Sequence, residues 1–293
     1  MPEGKIIKAL SGFYYVLDGK ETIQCRGRGV FRKNKVTPLV GDYVVYQAEN
    51  PTDGYILEIK DRKNELLRPP IANVDQAVLV FSAVEPDFST ALLDRFLVLI
   101  EDKEIDPIIC ISKMDLVPED QKNELEDYVK DYEAIGYPVL TTSSVTTDGI
   151  EQLKPYLQNK ISVFAGQSGV GKSSLLNAIN PDLELKTNDI SSHLGRGKHT
   201  TRHVELIHIG TGLVADTPGF SSLEFLEIEA DRLSYCFPDI YRTGENCKFR
   251  GCLHDKEPKC AVKGAVEAGE IKPYRYTHYI QFLEEIKERK PRY

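Results

Sequence analysis

Residues 166–173, Gly-Gln-Ser-Gly-Val-Gly-Lys-Ser, have the spacing of a phosphate-binding loop. The preceding run ISVFAG reads as a buried strand and the following KSSLLNAIN as a helix, the context this pattern needs in order to cradle phosphates. Backbone N–H groups of Gly166, Gln167, Ser168, Gly169, Val170 and Gly171, with the helix N-terminus, are expected to face the phosphates. Lys172 is expected between the β- and γ-phosphates as a catalytic cation. Ser173 is expected on Mg2+ and Ser174 near the α-phosphate.

About forty residues later Asp216-Thr217-Pro218-Gly219 follows the strand-like GLVA. A strand-end Asp before a Gly turn suits the second Mg2+ carboxylate, with the Gly219 N–H reading the γ-phosphate. Between the two lies GRGKHTTR, residues 195–202. Thr200 and Thr201 are candidates to complete the Mg2+ shell when the γ-phosphate is present. Where Ras-like enzymes carry a water-orienting Gln after the switch Gly, this chain has Phe220, which cannot orient water. His199 is the candidate replacement; a solvated loop histidine is the alternative.

The base is expected to be guanine. Ser112-Lys113-Met114-Asp115 ends the strand-like DPIICI and matches Asn-Lys-x-Asp. Asp115 would accept two hydrogen bonds from guanine while the Lys113 stem covers the ring. Adenine would leave that carboxylate underbonded. Thr142, Ser143 and Ser144 end the next strand and are expected to supply an N–H to the guanine oxygen. Ser112 replaces the usual Asn, and its shorter side chain threatens the tether to the phosphate loop. That bears on affinity more than on base choice. The base reader precedes the phosphate loop here, whereas ordinary GTPases reverse that order. Joining the old ends of such a domain and opening it after its second switch gives this order, and loops at one sheet edge keep their geometry through such a permutation.

A second constellation is Cys247-x4-Cys252-x-His254-x5-Cys260. Three thiols and an imidazole in 14 residues suit one structural Zn2+ held tetrahedrally. A disulfide pair and ordinary buried cysteines are the alternatives, the disulfide disfavoured without an export signal. Cys25, Cys110 and Cys236 read as small buried hydrophobes.

These residues need elements to position them. The first 65 residues alternate as about five short strands separated by Asp-Gly and Gly-Asp turns, including GFYYVLDG, TIQCRGRGVF, DYVVYQA and GYILEIKD. That pattern predicts a small β-barrel of the OB type. Arg26, Arg28, Arg32, Lys33 and Lys35 crowd one connection of it, either as a solvated loop or as a phosphate-contacting face on RNA. From VDQAVLVFSA onward, strands and helices alternate to DTPG, which predicts a doubly wound, mainly parallel sheet. The rest holds the metal cluster and ends in the helix-like THYIQFLEEIKERK. The expected domains are 1–68, a barrel; 69–222, a permuted α/β P-loop GTPase domain; and 223–293, a zinc-binding domain.

Composition fits a water-soluble multidomain chain of 293 residues with 41% hydrophobic and 28% charged residues. With no signal-peptide pattern and no long apolar run, a cytoplasmic protein with no membrane association is expected. Net charge is −8, and its distribution is uneven: residues 1–65 hold 11 Lys/Arg against 9 Asp/Glu, 66–225 hold 13 against 24, and 226–293 hold 13 against 12. An acidic middle repels a polyanion, so RNA contact is expected from the flanks.

Barrel-like N-terminus, GQSGVGKSSL, GRGKHTTR and DTPGF in permuted order, and the Cys/His segment together resemble the bacterial ribosome-small-subunit-dependent GTPase A (RsgA) family over nearly the whole chain. The resemblance implies GTP hydrolysis stimulated by the small ribosomal subunit, late in its maturation, through nucleotide-controlled rRNA binding. It implies GTP/GDP, Mg2+ and one structural Zn2+, and a monomer is expected. The residues alone also admit a signalling GTPase with protein partners, or a non-catalytic RNA-binding assembly module.

Overall fold

Alternating apolar residues build the N-terminal barrel. The computed structural model describes residues 1–33, 35–67, 69–185, 204–216 and 223–289, with Arg32 and Asp216 described by backbone alone. Strands β1 (Glu3–Leu10), β2 (Phe13–Asp18), β3 (Glu21–Gly27), β4 (Tyr43–Ala48) and β5 (Gly54–Ile59) follow one another, with a short helix α1 (Gly29–Lys33) after β3. They pair in the ring β1-β2-β3-β5-β4 and close through β1–β4, with only β3–β5 parallel. Ile6, Val16, Ile23, Cys25, Val44 and Ile56 point inward and are buried. Period-two alternation with one face wet produces this closed arrangement.

The predicted strand TIQCRGRGVF is too long. β3 ends at Gly27, where its pairing with β5 ends at Ile56, and the chain turns into α1 as Phe31 N donates to Arg28 O at 3.1 Å. A small hairpin, β6 (Glu65–Leu67) with β7 (Pro70–Ala72), then spans the expected boundary between residues 68 and 69.

The central part alternates as predicted: β8 (Gln76–Ser82), α2 (Thr90–Glu101), β9 (Asp106–Ser112), α3 (Glu119–Ile135), β10 (Val139–Thr141), α4 (Ile150–Leu157), β11 (Ile161–Ala165), α5 (Lys172–Ile179), β12 (Glu205–Ile209) and β13 (Gly212–Asp216). The strand order is β10-β9-β8-β11-β13-β12, parallel except for β12, which forms a hairpin with β13. All seven residues of β8 are buried, as expected of a central strand covered on both faces. α2 starts where Ser89 Oγ accepts from Leu92 N at 3.3 Å, and α3 stops at Gly136, whose φ of 115° suits a residue without Cβ. The barrel joins this sheet edge to edge through β1 and β12, where Lys8 pairs with Glu205 and bridges it at 2.8 Å.

The C-terminal part consists of α6 (Pro238–Gly244), α7 (Ala261–Glu267) and α8 (Pro273–Glu288) with irregular connections. It docks on α2 through a buried ionic cluster. Asp94 of α2 is 0% exposed and is hydrogen-bonded by Tyr132 Oη at 2.7 Å and His278 Nδ1 at 2.7 Å, and by the Arg275 guanidinium. Arg275 also bridges Asp239 at 2.9 Å and stacks over Phe237 at 4.6 Å. A buried carboxylate persists only where donors replace its water, so this cluster fixes how α8 sits on α2.

Candidate functional site

β11 leads directly into the phosphate loop, and α5 leaves it. Gly166 holds φ at 145°, and a Cβ there would lie 2.0 Å from Val80 O, so only glycine fits between the loop and β8. Gly169 and Gly171, at φ 84° and 91°, give the loop its remaining turns. Lys172 Nζ donates to Gly166 O at 2.9 Å and Gln167 O at 2.6 Å, which coils its side chain under the loop. Burial lowers its ammonium to about 8, because desolvation disfavours the charged form. Ser173 is buried in the first turn of α5, Ser174 is half-buried, and Gln167, Ser168 and Gly169 are exposed.

The tether that Ser112 threatened is present. Its hydroxyl, buried at the end of β9, lies 2.6 Å from Val170 O in the phosphate loop and 3.1 Å from Phe81 O at the end of β8. The shorter side chain suffices because β8 and β9 pair through to Ser82 and Ser112, which carries β9 up to the loop. Ser112→Ala would leave Val170 O without this donor. A net hydrogen bond is worth roughly 0.5–1.5 kcal/mol, so GTP affinity should fall by about two- to tenfold with base preference unchanged. Equilibrium titration with a fluorescent GTP analogue checks this, and an unchanged Kd would show the tether to be idle.

The residues expected to read the base converge as well. Lys113 takes a left-handed conformation, φ 60°, and starts a tight turn over Met114–Leu116. Met114 N donates to Thr142 O at 3.2 Å, and Ser143 Oγ donates to Asp115 Oδ1 at 2.6 Å. Ser143 Oγ itself accepts from Val145 N at 3.2 Å and Thr146 N at 3.1 Å. The carboxylate is therefore held by a hydroxyl whose own direction is fixed, while Asp115 stays exposed at the site. Lys113 Nζ donates to the Glu85 carbonyl. Ser143 was read from sequence as an N–H donor to the base; its role in orienting Asp115 has no sequence signal of its own.

β13 runs parallel to β11, with Ala215 opposite Val163, so the backbone of Asp216 ends its strand beside the one that enters the phosphate loop. The Asp216 side chain and His199, Thr200, Thr201, Gly219 and Phe220 lie outside the described residues.

The Cys/His cluster assembles between α6 and α7. Ligand atoms of Cys247, Cys252, His254 and Cys260 all lie within 4.8 Å of one another. Sulfur–sulfur distances are 3.8 and 3.9 Å, and His254 Nδ1 lies 3.5 and 3.4 Å from the sulfurs of Cys247 and Cys260. Zn2+ with bonds of about 2.3 Å to sulfur and about 2.0–2.1 Å to nitrogen sets tetrahedral edges near 3.8 and 3.6 Å. The set therefore fits Zn2+ and is far from disulfide distance. Burial, then the neighbouring sulfurs, pushes the Cys252 thiol up to about 12, a situation a bound dication reverses. The surrounding frame is well made. Glu257 accepts from Leu253 N and Asp255 N at 2.9 Å each, Tyr276 Oη donates to His254 O at 2.7 Å, and Tyr279 Oη to Leu253 O at 2.9 Å. Cys25, Cys110 and Cys236 are buried, as expected.

On the barrel, Arg26, Arg28, Lys33 and Lys35 are exposed around α1, with Arg26 over the Phe13 ring at 5.1 Å. The Arg32 side chain lies outside the described residues.

A phosphate loop after β11, preceded in the chain by a base-reading motif at the ends of β9 and β10, defines a circularly permuted P-loop GTPase. The chain belongs to the RsgA GTPase family, whose profile matches residues 59–226, while that of the RsgA N-terminal domain matches residues 3–56. It is 71% identical over 293 residues to the small ribosomal subunit biogenesis GTPase RsgA of Bacillus cereus, and 70% identical over 299 residues to that of Bacillus subtilis. Each alignment covers 100% of both chains. Among solved structures it resembles YloQ, a circularly permuted GTPase, at 64% identity and TM-score 0.87, covering 100% of this chain and 97% of that one. It also resembles YjeQ from Thermotoga maritima at 40% identity and TM-score 0.88, covering 99% of each. Among the described residues no helix is long and apolar enough to cross a membrane.

Proposed function

We propose that this GTPase binds the small ribosomal subunit through its rRNA, is stimulated by it, and acts late in the subunit's maturation. The names of its relatives support the partner. The observation that carries the nucleotide chemistry is the junction of the two loops: Ser112 Oγ reaches Val170 O at 2.6 Å, and Ser143 Oγ holds Asp115 at 2.6 Å. One site can then read a guanine and hold its phosphates at once.

In this reading Lys113, Asp115 and the Thr142–Ser144 loop take the base. Residues 166–171 take the phosphates through backbone N–H groups, with Lys172 between β and γ. Ser173, Asp216 and one of Thr200 or Thr201 hold Mg2+, whose part is to neutralise charge on the β- and γ-oxygens. Gly219 reads the γ-phosphate and His199 orients the attacking water. Cys247, Cys252, His254 and Cys260 hold one Zn2+ with no open position, a structural role. Residues 1–68, 69–222 and 223–293 act as barrel, GTPase and zinc domains, with Arg26, Arg28, Arg32, Lys33 and Lys35 against RNA phosphates. The protein works as a cytoplasmic monomer.

The experiment is GTP turnover with and without purified small subunits, where stimulation is the expected result. The same assay on His199→Ala separates a water-orienting role, which lowers the stimulated rate, from a solvated histidine, which leaves it intact.

A further inference from the structure

The parallel strands β8 and β9 begin at the edge of the sheet opposite the phosphate loop and the base reader. A cleft of about 760 Å3 lies there, between the sheet and the C-terminal part. Among the described residues, two buried side-chain oxygens have no hydrogen-bond partner, Gln76 Oε1 and Tyr137 Oη, and both residues line this cleft. Gln76 is 0% exposed and its amide is oriented: Nε2 donates to Tyr156 O at 2.8 Å and to Ser162 Oγ at 2.9 Å. Turning the amide over would set its oxygen against the Tyr156 carbonyl, so what Gln76 has left over is an acceptor. Tyr137 Oη lies beside the half-buried Glu101 carboxyl, out of hydrogen-bond geometry with it. Burial holds that carboxyl above its ordinary range. Buried polar atoms without partners are costly and rare, so two of them along one cleft call for a ligand that pairs with both.

The rim indicates the rest of that ligand. On the sheet side it carries Glu104, Asp106 and Lys160, and on the C-terminal side Arg232, Arg242 and the ring of Tyr235. Arg232 and Tyr235 also line a second cleft of about 780 Å3 beside the Cys/His cluster, together with Tyr241, Lys248, Phe249 and Arg250. The three rings stand open, with Tyr235 53%, Phe249 45% and Tyr241 39% exposed. Tyr235 and Tyr241 lie 4.7 Å apart, tilted by 34°. Arg232 stands over Tyr235 at 5.6 Å and Lys248 over Phe249 at 5.8 Å. Arg232, Arg242, Lys248 and Arg250 outnumber the acids of this strip, Asp231 and Glu245. Cations interleaved with open rings suit a single nucleic-acid strand, whose phosphates follow the charges and whose bases stack. A basic peptide would meet the same cations and be repelled.

We propose that one unpaired RNA nucleotide enters the first cleft base first, donating its exocyclic amino group to Gln76 Oε1, while the phosphates beside it lie along Arg232, Arg242, Lys248 and Arg250. This rests on the reading that the partner is ribosomal RNA, and it adds a place where a base is read. Bases splayed out of a strand are recognised in this way, by stacking and by hydrogen bonds to the edge that normally pairs. Adenine and cytosine carry an amino group next to a ring nitrogen that accepts, which suits Gln76 Oε1 and the Tyr137 hydroxyl. Uracil puts a carbonyl in place of the amino group and sets acceptor against acceptor.

The test uses full-length protein with its nucleotide site filled by GDP and Mg2+, and fluorescent RNA strands of about ten nucleotides, oligo(A), oligo(C) and oligo(U). Oligo(A) and oligo(C) should bind at least about tenfold tighter than oligo(U), the scale of one polar pair replaced by an unpaired buried acceptor. Tyr137→Phe removes a hydroxyl that has no partner in the free protein, so its melting temperature should be unchanged or higher. Its preference over oligo(U) should nevertheless shrink at least about threefold. Gln76→Met should abolish the preference. Arg232→Gln should weaken all three strands alike and leave the preference in place. Equal binding of the three strands by the unsubstituted protein would overturn the proposal, and so would no binding at all. An unchanged preference in Tyr137→Phe and Gln76→Met would overturn it too, and if Gln76→Met does not fold, Tyr137→Phe decides alone. Free AMP or CMP bound as tightly as the strands would replace RNA by a mononucleotide and overturn it as well. Turnover with small subunits is measured alongside: stimulation without base preference sinks this cleft alone, whereas absent stimulation sinks the reading of function.

Discussion

Asp115→Asn should exchange guanine for xanthine. Guanine presents N1–H and the 2-amino group, both donors, to a carboxylate. In this site Asp115 Oδ1 already accepts from Ser143 Oγ at 2.6 Å, which fixes the plane of the group. An Asn at 115 can keep its oxygen on Ser143 and turn its NH2 toward the base. Against guanine that sets donor against donor; against xanthine, whose C2 carries an oxygen, it restores a pair. A site built to pair with a polar group rejects a ligand lacking that group by about 100-fold or more, because its buried partner is left unpaired. Unsubstituted protein should therefore prefer GTP to ATP by at least ~100-fold in kcat/KM. The variant should lose GTP by a similar factor while gaining xanthosine triphosphate. Competition assays with the three triphosphates measure this, and comparable turnover of GTP and ATP would remove Asp115 from the base site.

Zinc removal is expected to have the other large effect, and at a different place. Zinc sites of this kind contribute an apparent ~10–16 kcal/mol in isolated finger peptides, as much as the whole stability of a typical domain, about 5–15 kcal/mol. Here the segment from Cys247 to Cys260 has few apolar residues of its own. Its frame depends on Tyr276 and Tyr279 of α8 bonding to the backbone of Leu253 and His254. Chelation, or Cys252→Ala, should unfold that segment and lower subunit affinity at least about tenfold. The phosphate loop and base reader lie on the central sheet, so unstimulated GTP hydrolysis should persist. Elemental analysis should find about one zinc per chain in native protein. Protein free of zinc yet fully helical and subunit-binding would contradict the assignment.

Much of this was legible in the sequence, for local reasons. The phosphate loop, the base reader and the Cys/His cluster are short contiguous motifs, and the first two sit where strand-to-helix alternation puts them. The barrel followed from period-two alternation, although Gly29–Lys33 turned out helical because β3 loses its partner at Gly27. What the sequence hid depends on long-range contact. Ser112 lies 58 positions from the carbonyl it tethers, and Asp94 lies 181 from Arg275. No periodicity brings such pairs together; a sheet register and a helix docking angle do. Gln76 is the extreme case. In β8 it reads as the polar start of a strand, and only the fold places it along one cleft with Tyr137 and Arg232.

The most direct test of the whole account is GTP turnover by the full-length protein with and without purified small ribosomal subunits. Phe220 stands where a water-orienting Gln would be, so the unassisted rate should be slow and the subunit should supply the missing assistance. The account predicts at least about a tenfold rise that saturates with subunit concentration. It also predicts the same saturation when binding of a non-hydrolysable GTP analogue is measured. Turnover that is unchanged by saturating small subunits would contradict it.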